Sequence, residues 1–285
     1  MKYNNIKDRF LNKLNLLFHI KALLHPHIWI RYAIPRWRTT NCNWGDDVNA
    51  NLCKIISGKE VIPYQYSWFN QQHYLCIGSI IQWYSTENAI IWGSGLLKYT
   101  RGLRHPQRVL AVRGPLTRQC LLDNGIECPE IYGDPALLFP RYYNPSIDKK
   151  YYVGIICHQS EIPILEKMIH SNKKIVFIDI KHYGKWTDFI DQILSCDVIL
   201  SSSLHGVIVA DAYNIPNQWS QFTDYISENT GFKFRDYYLS VKKNITKPYL
   251  VEFPFDIKAV VNNVKNNWTE PHFDAKQLLD ACPFK

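Results

Sequence analysis

The chain has 285 residues, 46% of them hydrophobic, which is enough to bury either one large α/β core or two smaller ones. Its formal net charge of +8 suits anionic partners, but the basic residues are dispersed and no nucleic-acid module is present, so no nucleic-acid partner is expected. The 8 cysteines include no Cys-x-x-Cys pair, no run of about 18 apolar residues occurs, and no small-residue cleavage signal is seen. These features set aside a zinc site, a membrane-spanning helix and secretion, and they point to reduced thiols in a cytoplasmic protein.

Residues 1–32 read as a basic amphipathic segment. Phe10, Leu11, Leu14, Leu17, Ile20 and Leu24 interleave with Lys2, Lys7, Lys13 and Lys21. Such a segment either makes peripheral contact with an anionic membrane or packs on its own domain. Next comes Asn41-Cys42-Asn43-Trp44-Gly45-Asp46-Asp47, ahead of a helical stretch, 48–57, that Gly58 stops. One carboxylate before a helix is an ordinary cap. Two beside a glycine turn exceed that need, so Asp46 and Asp47 are candidate catalytic groups that would accept protons from hydroxyls.

Three apolar strands follow, at 74–77, 89–92 and 108–112, each running into glycine or polar residues. Repeated edges of this kind are what a parallel sheet with ligands at its carboxyl end produces. Gly93-Ser94-Gly95 lacks the rest of a dinucleotide fingerprint. Arg113 stands at a strand end, beside a helix whose first position is Pro115, and is a candidate clamp for phosphate or carboxylate. Asp134 is its candidate partner.

Residues 140–150 read as a linker. A second set of strands and helices begins with a strand at 152–157 that ends at His158. Helix 162–170, strand 174–179 and helix 186–195 lead to the apolar run Val198-Ile199-Leu200. A polar turn, Ser201-Ser202-Ser203-Leu204-His205-Gly206, follows, then a helix at 207–213. His205 sits where α/β sheets bind ligands, and an imidazole titrates near neutral pH. Residues 231–238 place Lys233 and Arg235 among aromatics, either as an exposed aromatic strand with solvated charges or as a source of cations for the site. The alternation implies an α/β protein with two doubly wound Rossmann-like domains facing a cleft. The expected units are the basic segment 1–32, domains at 33–145 and 146–240, and a tail, 241–285, that packs back on the first domain.

Taken in order, Asn43-Trp44-Gly45-Asp46-Asp47, Gly93-Ser94-Gly95, Val112-Arg113-Gly114-Pro115-Leu116-Thr117, Gly133-Asp134-Pro135-Ala136 and Ser201-Ser202-Ser203-Leu204-His205-Gly206 resemble the polysaccharide pyruvyl transferase family. The resemblance implies a fold similar to glycosyltransferase B. It also implies transfer of a pyruvyl unit from phosphoenolpyruvate onto a sugar as a cyclic ketal, with release of phosphate. No metal or other cofactor is implied, phosphoenolpyruvate serving as co-substrate. Arg113, Ser94, Ser202, Ser203, Leu204 and Gly206 would hold the donor. His205 would protonate it, Asp46 or Asp47 would assist the sugar hydroxyl, and His158 would assist the leaving phosphate. Many members carry an arginine where this chain has Ser203, so Lys233 or Arg235 is expected to supply the missing cation. The expected acceptor is a polyprenyl-diphosphate-linked glycan at the inner membrane face. The alternatives are a similarly folded glycosyltransferase using a nucleotide sugar and a non-catalytic carbohydrate- or membrane-binding protein.

Overall fold

The computed structural model describes residues 13–33, 43–158, 160–169, 173–223 and 231–284. The amino-terminal part of the basic segment, and Asn41 and Cys42, lie outside the described residues.

Strands β1 (His27–Ile30), β2 (Glu60–Pro63), β3 (His73–Leu75), β4 (Ala89–Trp92) and β5 (Arg108–Ala111) form one sheet, in the order β2-β1-β3-β4-β5. Strands β6 (Tyr151–Ile156), β7 (Ile175–Phe177), β8 (Cys196–Ser201), β9 (Asn217–Gln221) and β10 (Tyr249–Leu250) form a second, in the order β10-β9-β8-β6-β7. Every pairing within both sheets is parallel. Parallel neighbours need long crossovers, and helices covering both faces make the central strands apolar throughout. All four residues of β4 are buried, as are Val198, Ile199 and Leu200 of β8.

The crossovers and connections carry α1 (Trp44–Ser57), α2 (Pro115–Asp123), α3 (Ile162–Ile169), α4 (Trp186–Leu194), α5 (Leu204–Ala212), α6 (Gly231–Ser240), α7 (Ile257–Asn267) and α8 (Ala275–Asp280). Asn43 caps α1 by accepting from the Gly45 amide at 3.0 Å, and Gly58 ends it in the left-handed conformation at φ 64°.

Four expectations change here. The boundary after residue 32 cuts a strand from its sheet, because β1 lies between β2 and β3 with Ile28 and Ile30 turned into the core. Helix α5 begins at Leu204, so His205 and Gly206 lie in its first turn and not in a loop. Residues 231–238 belong to helix α6, which buries Phe234, Tyr237 and Tyr238. The tail divides. Helix α7 places Val260 and Val264 on the second sheet, against the Val153, Ile155 and Val198 cluster. Helix α8 lies on the first sheet, where Trp92 Nε1 donates to the Leu278 carbonyl at 2.8 Å.

The two halves share a core. Trp44, from α1 of the first half, is fully buried beside the second. Its indole stacks on Phe189 at 4.6 Å and donates to the Trp186 carbonyl at 2.8 Å. Val48 and Leu52 extend the same cluster toward Ile190 and Ile193. The motif Asn43-Trp44-Gly45-Asp46-Asp47 therefore fixes one half against the other before it does any chemistry.

A buried polar hub ties the second half together. Asp211 of α5 accepts from Lys243 Nζ (2.7 Å), Asn217 Nδ2 (2.6 Å), Trp268 Nε1 (2.9 Å) and Tyr237 Oη (2.8 Å). Replacing its carboxylate strands a buried ammonium, so Asp211→Asn is expected to lose about 3 kcal/mol of stability. Urea unfolding would measure it, and a midpoint equal to wild type would show that the hub contributes little.

Candidate active site

The carboxyl ends of strands from both sheets bring five ionisable groups together. Asp46 and Asp47 lie in the first turn of α1, and His158 follows β6. His205 is the second residue of α5, just after β8, and Lys233 is the third residue of α6. The Lys233 ammonium lowers the proton affinity of His158, His205 and Asp46 alike, which places all three within its electrostatic reach. Asp46, His158, His205 and Lys233 are each partly buried residues.

Their surroundings set distinct charge states. Burial, reinforced by Asp47, raises the Asp46 carboxyl to about 7, partly offset by Lys233. Burial, then Lys233 and Arg113, lower His205 to about 3. His158 is lowered too, by burial and then Lys233. Lys233 itself is lowered to about 8, by burial and Arg113 against the pull of Asp46. At neutral pH the site thus holds two neutral imidazoles, a carboxyl poised between its forms, and an ammonium near its titration point. The expectation that His205 titrates near neutral pH gives way, because a second cation cannot form cheaply beside Lys233 in a desolvated place.

Contacts separate the free groups from the occupied ones. Among the described residues no hydrogen-bond partner is found for the Asp46 carboxylate, and His205 Nε2 is buried without one. The His205 ring lies against Gly45, where a methyl group would collide with it, so the motif glycine is needed for close approach. Asp47 is engaged elsewhere: Tyr183 Oη donates to it at 2.7 Å across the two halves. Arg235 turns away, its guanidinium folded back toward Gly231 at the start of its own helix.

Arg113 is fully buried, and this changes its expected part. Its Nε donates to Asp236 Oδ2 (3.1 Å), one terminal nitrogen to Ser79 Oγ (2.6 Å) and the other to the Leu96 carbonyl (2.7 Å). Asp236 also accepts from the Thr117 amide (2.8 Å) and Thr117 Oγ1 (2.7 Å). The anion seat at the amino end of α2 is therefore filled by the protein's own carboxylate. Asp236, and not Asp134, is the partner of Arg113. Asp134 caps the following 3₁₀ turn by accepting from the Ala136 amide (3.0 Å), and burial raises it to about 6. Ser94 Oγ is buried without a partner among the described residues.

The serine turn is built more tightly than its sequence suggested. Ser202 Oγ accepts from the His158 amide (2.9 Å) and donates to Glu161 (2.5 Å), a fully buried carboxylate that Thr223 also reaches (2.8 Å). Ser203 caps α5 without a side-chain bond to it. Gly206 meets Ser201 Oγ and Ile156 so closely that a side chain would not fit, and Leu204 is buried. No side chain therefore caps the amino end of α5.

Sequence reasoning passed over Asp236, Ser79, Thr117 and Glu161. Only Asp236 carried a signal, standing three residues after Lys233 on what proves to be a helix. Among the described residues no group of three His, Cys, Asp or Glu side chains is placed to hold a metal ion. A cavity of about 1390 Å³ opens elsewhere, beside Gln72, His105, Arg108, Glu127 and Cys282, and contains none of these groups.

Three comparisons show what the chain is similar to. The family model described as polysaccharide pyruvyl transferase matches residues 2–217. An uncharacterized protein of Acanthamoeba polyphaga mimivirus is 29% identical over 220 residues, covering 74% of this chain and 73% of that one. The crystal structure of an uncharacterized protein from Klebsiella pneumoniae matches with 13% identity and a TM-score of 0.45, over 84% of this chain and 97% of that one.

Proposed function

The chain belongs to the polysaccharide pyruvyl transferase family, and from that premise we propose that it builds a pyruvate ketal on a glycan, with phosphoenolpyruvate as donor. The observation that supports this is the grouping of Asp46, His158, His205 and Lys233. It offers one cation for an anionic donor, one carboxyl able to give a proton near neutral pH, and two neutral imidazoles able to take one.

The donor lies in a cleft between the carboxyl ends of the two sheets, in a GT-B-like arrangement. Its phosphate and carboxylate meet Lys233 and the uncapped amino end of α5, where unpaired amides favour an anion. Lys233 supplies the charge that many family members carry at the position of Ser203. Ser94 and Ser203 add hydroxyls. Arg113 acts from behind, since its ion pair with Asp236 fixes the helix that carries Lys233.

The reaction consumes one proton at the methylene carbon and releases two from the sugar. Protonated Asp46 gives its proton to the methylene, leaving an oxocarbenium-like centre at the neighbouring carbon. A sugar hydroxyl adds there, its proton taken by His205. The bond to phosphate breaks, and a second hydroxyl closes the ketal with His158 as acceptor. One released proton restores Asp46 and the other leaves with phosphate. Donor charge raises both imidazoles toward the range in which they accept protons well.

The acceptor we infer is a polyprenyl-diphosphate-linked glycan at the cytoplasmic membrane face, a reading supported by the basic amino-terminal segment. Incubation with phosphoenolpyruvate and candidate glycans, followed by mass spectrometry and phosphate measurement, is expected to give a pyruvylated glycan and phosphate in equal amounts. Phosphate release without an adduct would overturn transfer, and equal use of a soluble glycan would overturn the lipid-linked acceptor.

A further inference from the structure

One surface of the first half is unusually apolar. Leu17, Phe18, Ile20 and Leu24 stand out from the helical stretch among residues 13–24, with Phe18 82% and Leu24 78% exposed. Phe69, 78% exposed, and the half-exposed Trp68 lie on the loop before β3. Side-chain contacts join the two segments into one face: Lys13 Nζ sits 5.2 Å from the Trp68 ring, and His19 meets Tyr66 at 5.6 Å. Soluble surfaces scatter such residues singly, so a contiguous group of this size marks a contact surface.

Along the chain the charge is one-sided on the helical side, while on the loop side Glu87 bonds Asn70 beside Phe69. From residue 9 to residue 45 the chain carries six Lys or Arg and no Asp or Glu. Lys13 and Lys21 lie within the apolar face itself. Large aliphatic and aromatic groups rimmed by cations, with an indole at the edge, match the boundary layer of an anionic bilayer. Among the described residues no helix is long and apolar enough to cross a membrane, so the match is to lying on the surface.

We propose that Leu17, Phe18, Ile20, Leu24 and Phe69 form a seat on an anionic lipid surface, flanked by Lys13 and Lys21. The seat rests on the reading above only for its purpose, since a bilayer is where a lipid-linked acceptor would be met. Its existence can be tested with neither donor nor acceptor present.

The test is co-sedimentation of the full chain with vesicles of phosphatidylcholine alone or with one part in three of phosphatidylglycerol. Wild type is expected to bind the anionic vesicles, less so as salt is raised. Phe18→Glu with Leu24→Glu is expected to weaken binding by about tenfold or more, because two apolar side chains can no longer enter the interface. An unchanged thermal midpoint would show the variant folded, and Lys13→Glu with Lys21→Glu should weaken binding to anionic vesicles in the same direction. No binding by wild type, or equal binding by the folded double variant, would overturn the seat. So would light scattering that shows a dimer which Phe18→Glu dissociates, since the face would then belong to a second copy. None of these outcomes touches pyruvyl transfer, and failure of transfer would leave them standing.

Discussion

Asp46→Asn is expected to lower turnover of phosphoenolpyruvate by about a thousandfold, within the range that a positioned general acid supplies. The pH profile separates this from simple misplacement. The carboxyl is held at about 7, so its proton-bearing form is lost as pH rises through that value. Lys233, held at about 8, loses its charge just above. In wild type, kcat/KM for the donor should therefore be level below about pH 7 and fall at first by about tenfold per pH unit, then more steeply. The asparagine variant should keep only the Lys233 limb. That limb moves to lower pH, because the Asp46 charge that supported the ammonium is gone. Stability should move the other way. A carboxyl whose folded value is raised loses stability as pH rises from its unfolded value near 4 to about 7. The variant should therefore be at least as stable as wild type at pH 8, with the gap closing as pH falls toward 4. An unchanged pH profile in the variant would remove Asp46 from the proton transfer.

What the sequence disclosed follows from what each signal depends on. Strand β8 was legible because Val198, Ile199 and Leu200 are buried on both faces and nothing local disputes the run. Strand β1 was not, since its four residues continue the apolar rhythm of the segment before it and its strand state comes from pairing with residues 60–63. The strand alternative for residues 231–238 fails for a related reason. Phe232, Phe234, Tyr237 and Tyr238 favour a strand locally, but packing such as Phe234 stacked on Trp219 at 4.4 Å decides for a helix. In the site, Asp46, His205 and Lys233 could be named from position and chemistry. Their charge states could not, because these depend on burial and on one another. The partner of Arg113 lies 123 residues away, on helix α6. Arg113 therefore looked like a donor clamp when its guanidinium is in fact enclosed.

Lys233→Met is expected to reduce kcat/KM for phosphoenolpyruvate by two to three orders of magnitude, the usual loss when one charge-stabilising donor is removed from a desolvated site. The fall should show mainly in donor affinity if the ammonium holds the anion, and mainly in kcat if it acts only as charge develops on the leaving phosphate. The same substitution removes the charge that depresses His205 and His158, so both imidazoles should titrate at higher pH in the variant. Proton magnetic resonance of the imidazoles would read that shift without any substrate. Methionine keeps most of the apolar stem of lysine, so the fold should survive and the two readouts can be compared in one protein. A second substitution then asks whether Lys233 stands in for the family's arginine. Ser203 is the N-cap of α5, next to Leu204 and His205. Ser203→Arg in the Lys233→Met background should recover part of the lost donor affinity, because a guanidinium there can bind phosphate or carboxylate through two parallel bonds. Donor affinity in Lys233→Met equal to wild type would remove the ammonium from the donor site. Unshifted imidazoles would further show that Lys233 does not set their charge state.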